Sequence, residues 1–140
     1  TPDALEVEDG ANLLYASDTR GGLPFIPSMG RRKFKTLQIP STLLTLDEVL
    51  GLTPIEKVAD LHLEEMKKIE FSVLTAHAEL EGMAYLDWFD DFLSKAKAEG
   101  AEFYALKDYA TDILQTQNVR TAEIKMMPFT GRSGLLAVQV

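Results

Sequence analysis

The sequence predicts an α/β fold in which short, mostly parallel strands alternate with amphipathic helices. Three features predict it. Short apolar runs such as "KTLQIP", "FSVLTA" and "EFYAL" are separated by segments whose apolar residues recur every three to four positions. Glycine and proline punctuate the boundaries of these segments. The 140 residues and 46% apolar content suffice for a hydrophobic core without disulfides, and the chain has no cysteine. One folding unit spanning 1–140 is expected, its parallel sheet either open or closed into a barrel.

Each element has its own signal. "NLLYAS" reads as a first strand, 17–33 as a long Gly- and Pro-rich loop of the kind that carries active sites, and "KTLQIP" as a second strand stopped by Pro40. "TLDEVLG" makes a short helical turn ending at Gly51. Thr53, Pro54 and Glu56 supply a T-x-x-E capping box with proline at the first helical position. Ile55, Val58, Ala59, His62, Met66 and Ile69 then share one face of a helix running to about Lys68. "FSVLTA" reads as a strand covered on both faces that delivers His77 at its carboxyl end. From Met83 to Glu99, Tyr85, Trp88, Phe89, Phe92 and Ala96 fall on one arc, with Asp87, Asp91 and Lys95 opposite and Gly100 as the stop. "EFYAL" is read as another strand and "LKDYATDIL" as another helix. "TAEIKMM" and "GLLAVQV" look like two final strands.

Charge and missing signatures exclude whole classes. The net charge of −8 argues against a chain built to hold nucleic acid, which needs a basic field. "GRRKFK" at 30–35 carries four positive charges and no acid, and reads either as a solvated strand flank or as a phosphate-contacting patch. Without cysteine there is neither a thiolate metal cluster nor a cysteine nucleophile. No P-loop, G-x-G-x-x-G, G-x-S-x-G or H-E-x-x-H motif occurs. No apolar run reaches the length of a membrane span, and the acidic opening "TPDALEVEDG" is unlike a signal peptide. That opening also lacks an initiator methionine, so the chain is expected to be a piece of something longer.

In parallel α/β folds, sites form beyond the carboxyl ends of strands. Asp18 and Arg20 follow the first strand and His77 follows "FSVLTA". A carboxylate on one imidazole nitrogen fixes the tautomer and frees the other nitrogen for acid or base work, so Asp18 and His77 form a candidate pair. The same residues could equally be a turn-stabilising Asp18–Arg20 ion pair and a histidine capping a carbonyl. His62, alone on an apolar stripe, reads as a hydrogen-bonded core residue. Glu79 and Glu81 either bind a cation or substrate hydroxyls, or complement a helix dipole. The aromatic stripe around Trp88 reads as core or interface. No metal-ligand set is found.

Three stretches carry a resemblance. "YASDTRGGLPFIP", "LQIPSTLLTLDEVLG" and "LTAHAELEGM" together, in this order and spacing, resemble the C-terminal half of NodB-type polysaccharide deacetylases, closest to the subgroup that deformylates formamido-arabinose-phosphoundecaprenol. The resemblance extends to about Leu106 and fades beyond it. It implies the C-terminal half of a distorted (β/α) barrel, and an amide hydrolase of amino sugars in which a divalent, zinc-like metal activates water. It further implies His77 as the general acid, Asp18 as the acidic residue that orients it, and Arg20 and Glu79 along the sugar site. The metal-holding residues of such enzymes have no counterpart in this chain, so a missing N-terminal half or a second copy is the expected partner. The substrate is expected to be an amino sugar or glycolipid, with no nucleic-acid partner and no transmembrane segment. The expected location is cytoplasmic, or peripheral to the inner membrane. The competing expectation is a non-catalytic, self-associating binding module.

Overall fold

The computed structural model describes residues 2–116 and 118–140. The fold is mixed α/β and divides into two compact units, 1–41 with 104–140, and 42–103.

The first unit holds every named strand: β1 (Tyr15–Ala16), β2 (Ile26–Met29), β3 (Arg32–Lys33), β4 (Leu37–Gln38), β5 (Thr121–Pro128) and β6 (Leu135–Gln139), with helices α1 (Pro2–Gly10) and α5 (Leu106–Thr116). β1 pairs in parallel with β4, Tyr15 opposite Leu37. A second sheet runs β3-β2-β5-β6, parallel only between β2 and β5. Among the described residues the strands close no barrel; the sheets are small and mixed. The stretch 17–33, expected as one long loop, contains the β2–β3 hairpin, whose turn uses Gly30 at φ +58°. Alternation explains why it pairs. Phe25 and Phe34 point inward with Leu5 and Ile124 to make one core cluster, while Arg31, Arg32 and Lys33 stay exposed.

The two glycines after Arg20 have different reasons. Arg20 rejoins the sheet, its N–H donating to the Ala137 carbonyl and its carbonyl accepting from Gln139 N–H, both at 2.8 Å. The Gln139 side chain then crosses directly over Gly21, where a Cβ would meet its Oε1 at 2.5 Å and its Cβ at 2.7 Å. That side chain accepts from Gly22 N–H at 3.0 Å and donates to the Leu23 carbonyl at 3.0 Å. Gly21 is required by close approach, whereas a Cβ on Gly22 would meet open space.

The second unit is helical: α2 (Leu46–Val49), α3 (Ile55–Met66), a π-turn (Leu80–Ala84) and α4 (Leu86–Ala98). The T-x-x-E box forms one motif earlier than expected. Glu48 accepts the Thr45 N–H at 2.9 Å, while Thr53 N–H is already taken by the Val49 carbonyl and leaves Glu56 nothing to cap. "FSVLTA" is not a strand. A doubly covered strand needs a ladder on its edges; here Val73 accepts from Thr42 and Leu43 N–H and donates to Thr42 Oγ1, and no strand is formed over 71–76. "EFYAL" likewise forms no named strand, and Phe103 and Tyr104 are exposed. The helical stripes are closer to expectation. Val58, Ala59, His62 and Leu63 of α3 and Phe92 and Ala96 of α4 are buried, though Ile69 lies beyond the helix and is exposed.

Replacing Gly21 with alanine is expected to cost about 1–3 kcal/mol, the usual range for forcing an added methyl into packed structure. Gly22→Ala is expected to stay within about 0.5 kcal/mol of the parent. Urea denaturation of the two variants measures the difference, and equal midpoints would show that the Gln139 crossing is not a constraint.

Candidate functional site

His77 opens the π-turn in the second unit. Its carbonyl accepts from the N–H groups of Leu80 and Glu81, each at 3.0 Å, and its own N–H donates to Glu81 Oε2 at 2.7 Å. The turn stays wide because Tyr85 N–H reaches back five residues to the Leu80 carbonyl at 2.8 Å, and π-turns of this kind are frequent at functional sites. The His77 side chain is 30% exposed, and its Nδ1 lies 3.8 Å from Asp47 Oδ1, within ion-pair reach but beyond a hydrogen bond. Asp47 is itself held, accepting from Thr45 Oγ1 at 2.5 Å next to the Thr45–Glu48 cap. A partly exposed imidazole on a hydrogen-bonded main chain, with a carboxylate within ion-pair reach of one nitrogen, has the arrangement that proton transfer requires.

One of these residues escaped the sequence reading. Asp47 sits inside "LQIPSTLLTLDEVLG", and only the short helix α2 shows that it faces His77. Glu81, read as a ligand for a cation or substrate hydroxyls or as a complement to a helix dipole, is buried with Oε2 on the His77 N–H. The i,i+4 spacing of His77 and Glu81 was the available signal. Glu79 is exposed.

His62 is a core residue, as its place on the stripe predicts. It is buried beside Trp88 and Phe92, with ring centroids 6.0 and 5.6 Å away, and its Nε2 is 2.7 Å from the Leu44 carbonyl. A carbonyl only accepts, so Nε2 carries the proton. Burial lowers the pKa of His62, against opposing contributions from the Leu44 and Val58 carbonyls and the Glu81 charge.

Asp18 and Arg20 belong to the first unit, His77 and Glu79 to the second. Asp18 is exposed and hydrogen bonds to Glu8 of α1. Glu8 also accepts from Gln38 Nε2 at 2.8 Å. Burial, then the hydrogen bond and charge of Asp18, raise the Glu8 pKa to about 7, with Gln38 pulling the other way. Next to it, Asp9 takes the N–H groups of Lys35 and Thr36 at 2.8–3.0 Å, and although burial opposes its charge these bonds hold its pKa below the ordinary value. Arg20 is buried, its guanidinium 4.8 Å from the centre of the Phe129 ring. The basic stretch at 30–35 is answered by α1: Arg32 pairs with Glu6, and the Lys35 N–H with Asp9. Among the described residues, no group of three or more His, Cys, Asp or Glu could hold a metal ion, so the residues described do not fit the metal that the resemblance implies.

Curated relatives match the motifs. A protein of Wigglesworthia glossinidia brevipalpis named "Probable 4-deoxy-4-formamido-L-arabinose-phosphoundecaprenol deformylase ArnD" is 38% identical over 135 residues, 95% of this chain. The chain is similar to formamido-arabinose-phosphoundecaprenol deformylases. A protein of the same name from Shewanella sediminis (strain HAW-EB3) is 31% identical over 144 aligned residues, 99% of the chain. The chain spans about half the length of these deformylases, 46% of the first and 44% of the second. No protein-family model matches. The subgroup read from the three motifs is the one these relatives carry in their names.

The Glu8 value gives a signed expectation. Its folded pKa of about 7 lies above the ordinary 4.5, so its contribution to stability is full below about 4.5 and is lost as pH rises through about 7. Carboxyl-carbon NMR should show Glu8 titrating near 7 and moving down in Asp18→Asn. An ordinary Glu8 titration in the parent protein would contradict the pairing.

Proposed function

We propose that this chain contributes the general-acid side of the active site of a carbohydrate deformylase, which hydrolyses the formamide of an amino sugar carried on undecaprenyl phosphate. The observation that carries it is His77, clamped at the mouth of the π-turn with Asp47 on Nδ1. Amide cleavage stalls at the departing amine, because an amide anion is too basic to leave in water. A proton given to that nitrogen as the carbon–nitrogen bond breaks removes the obstacle, a contribution of roughly 10²–10⁴ in rate. His77 delivers that proton in this proposal, and Asp18 is assigned as the acidic residue that orients it. Arg20 and Glu79 are assigned to the sugar site. The similarity to the two deformylases supports the substrate class.

On this proposal the chain forms part of a deacetylase-type barrel completed by residues outside it or by a second copy, and the divalent, zinc-like metal is held by residues outside the chain. On this proposal the protein works on the cytoplasmic side, peripheral to the inner membrane. Among the described residues no helix is long and apolar enough to cross a membrane.

The test uses the full-length protein and measures formate release from the formamido-sugar lipid. His77→Ala is expected to lower kcat by about 10²–10⁴ with an unchanged melting temperature. Asp18→Asn is expected to move the limb of the pH–rate profile that His77→Ala abolishes. A His77→Ala variant within tenfold of the parent would overturn the proposal, and an unmoved limb in Asp18→Asn would remove Asp18 from it.

A further inference from the structure

One residue holds both sides of His77, and Leu80 adds a second N–H on the carbonyl. Glu81 donates its own N–H to the His77 carbonyl and accepts the His77 N–H on Oε2, so both peptide groups flanking the His77 Cα answer to it. A neutral side chain could complete packing at this position, yet the chain buries a carboxyl group there to 1% exposure. Burying such a group is unfavourable unless its oxygens are satisfied. Here Oε2 is satisfied by the His77 N–H, while Oε1 is buried with no donor. The hydrogen bond that this buried carboxyl group makes goes to the His77 main chain, which fits a device for placement. The Glu81 charge also bears on His62, whose ring packs against Trp88.

We propose that Glu81 is a positioning residue for His77: it fixes the main chain from which the imidazole projects, and so sets where the proton is delivered. This rests on the reading of His77 as the general acid. Asp47 contacts the ring and Glu81 holds the backbone, so the two control different degrees of freedom of the same residue. Misplacing a reacting group by about 1 Å costs roughly 10²-fold in rate, which sets the size of the expected effect.

The test compares Glu81→Gln and Glu81→Ala in the full-length protein. Glutamine keeps an acceptor for the His77 N–H and alanine removes it. Glu81→Ala is expected to lose about 10–100-fold in kcat with KM within about twofold, and Glu81→Gln to recover most of that loss. In parallel, hydrogen exchange at the His77 amide should accelerate at least tenfold in Glu81→Ala and stay near the parent rate in Glu81→Gln. Equal kcat losses in the two variants with unchanged amide exchange would overturn the proposal, as would a Glu81→Ala kcat within twofold of the parent. If Glu81→Ala does not fold, Glu81→Gln and the parent amide decide it: a His77 amide that exchanges as fast as exposed amides of 75–79 counts against the clamp. His77→Ala separates the two readings. Should that variant keep its activity, the general-acid reading fails, while His77 amide exchange still reports on Glu81.

Discussion

The hydrogen bond from the His77 N–H to Glu81 Oε2, at 2.7 Å, is the contact around which the proposed site in the second unit is arranged. It closes a ring with the Glu81 N–H and the His77 carbonyl, an i,i+4 bond, and the wider turn closed by the Tyr85 N–H on the Leu80 carbonyl follows. Glu81 is buried within that turn, and the His77 ring lies partly exposed within ion-pair reach of Asp47. Sequence, backbone and site are linked here at one residue: H-A-E-L-E places a carboxyl group four positions after a histidine, and the turn converts that spacing into a fixed imidazole.

The first unit follows a different constraint, the pull of β6 on the chain after β1. Arg20 is stitched to Ala137 and Gln139 by two main-chain hydrogen bonds, and the Gln139 side chain then secures the loop through Gly22 and Leu23. The same residues that fix this crossing, Gly21 above all, lie within the S-D-x-R-G stretch that carries the resemblance. Helix α1 adds acids against that frame: Asp9 on the Lys35 and Thr36 amides, Glu8 between Gln38 and Asp18. In a chain of net charge −8 these carboxyls are stabilised locally by N–H donors or by sharing a proton, rather than by abundant cations.

Helices were legible because their stripes depend on local periodicity: the buried faces of α3 and α4 were readable from residue spacing, His62 included. Strands were less so. "FSVLTA" has a strand's composition, but a strand exists only where another edge meets it, and no composition encodes the neighbour. The hairpin within 17–33 was hidden for the opposite reason, since its Pro27 and flanking glycines look like loop while Phe25 and Phe34 do the pairing face's packing. The T-x-x-E signal occurs twice, and the backbone decided between them when Val49 took the Thr53 amide. At the candidate site, His77 was singled out from its motif, whereas its contacts with Asp47 and Glu81 needed the folded turn, because they span short helices.

The central claim is that His77 supplies a proton to a departing amine, and a leaving-group comparison tests it most directly. In the full-length protein, the rate defect of His77→Ala is measured with the formamido sugar and with 4-nitrophenyl formate, whose phenolate departs without a proton. The account predicts a large defect on the sugar and a much smaller one on the ester. Equal defects on both substrates would contradict it.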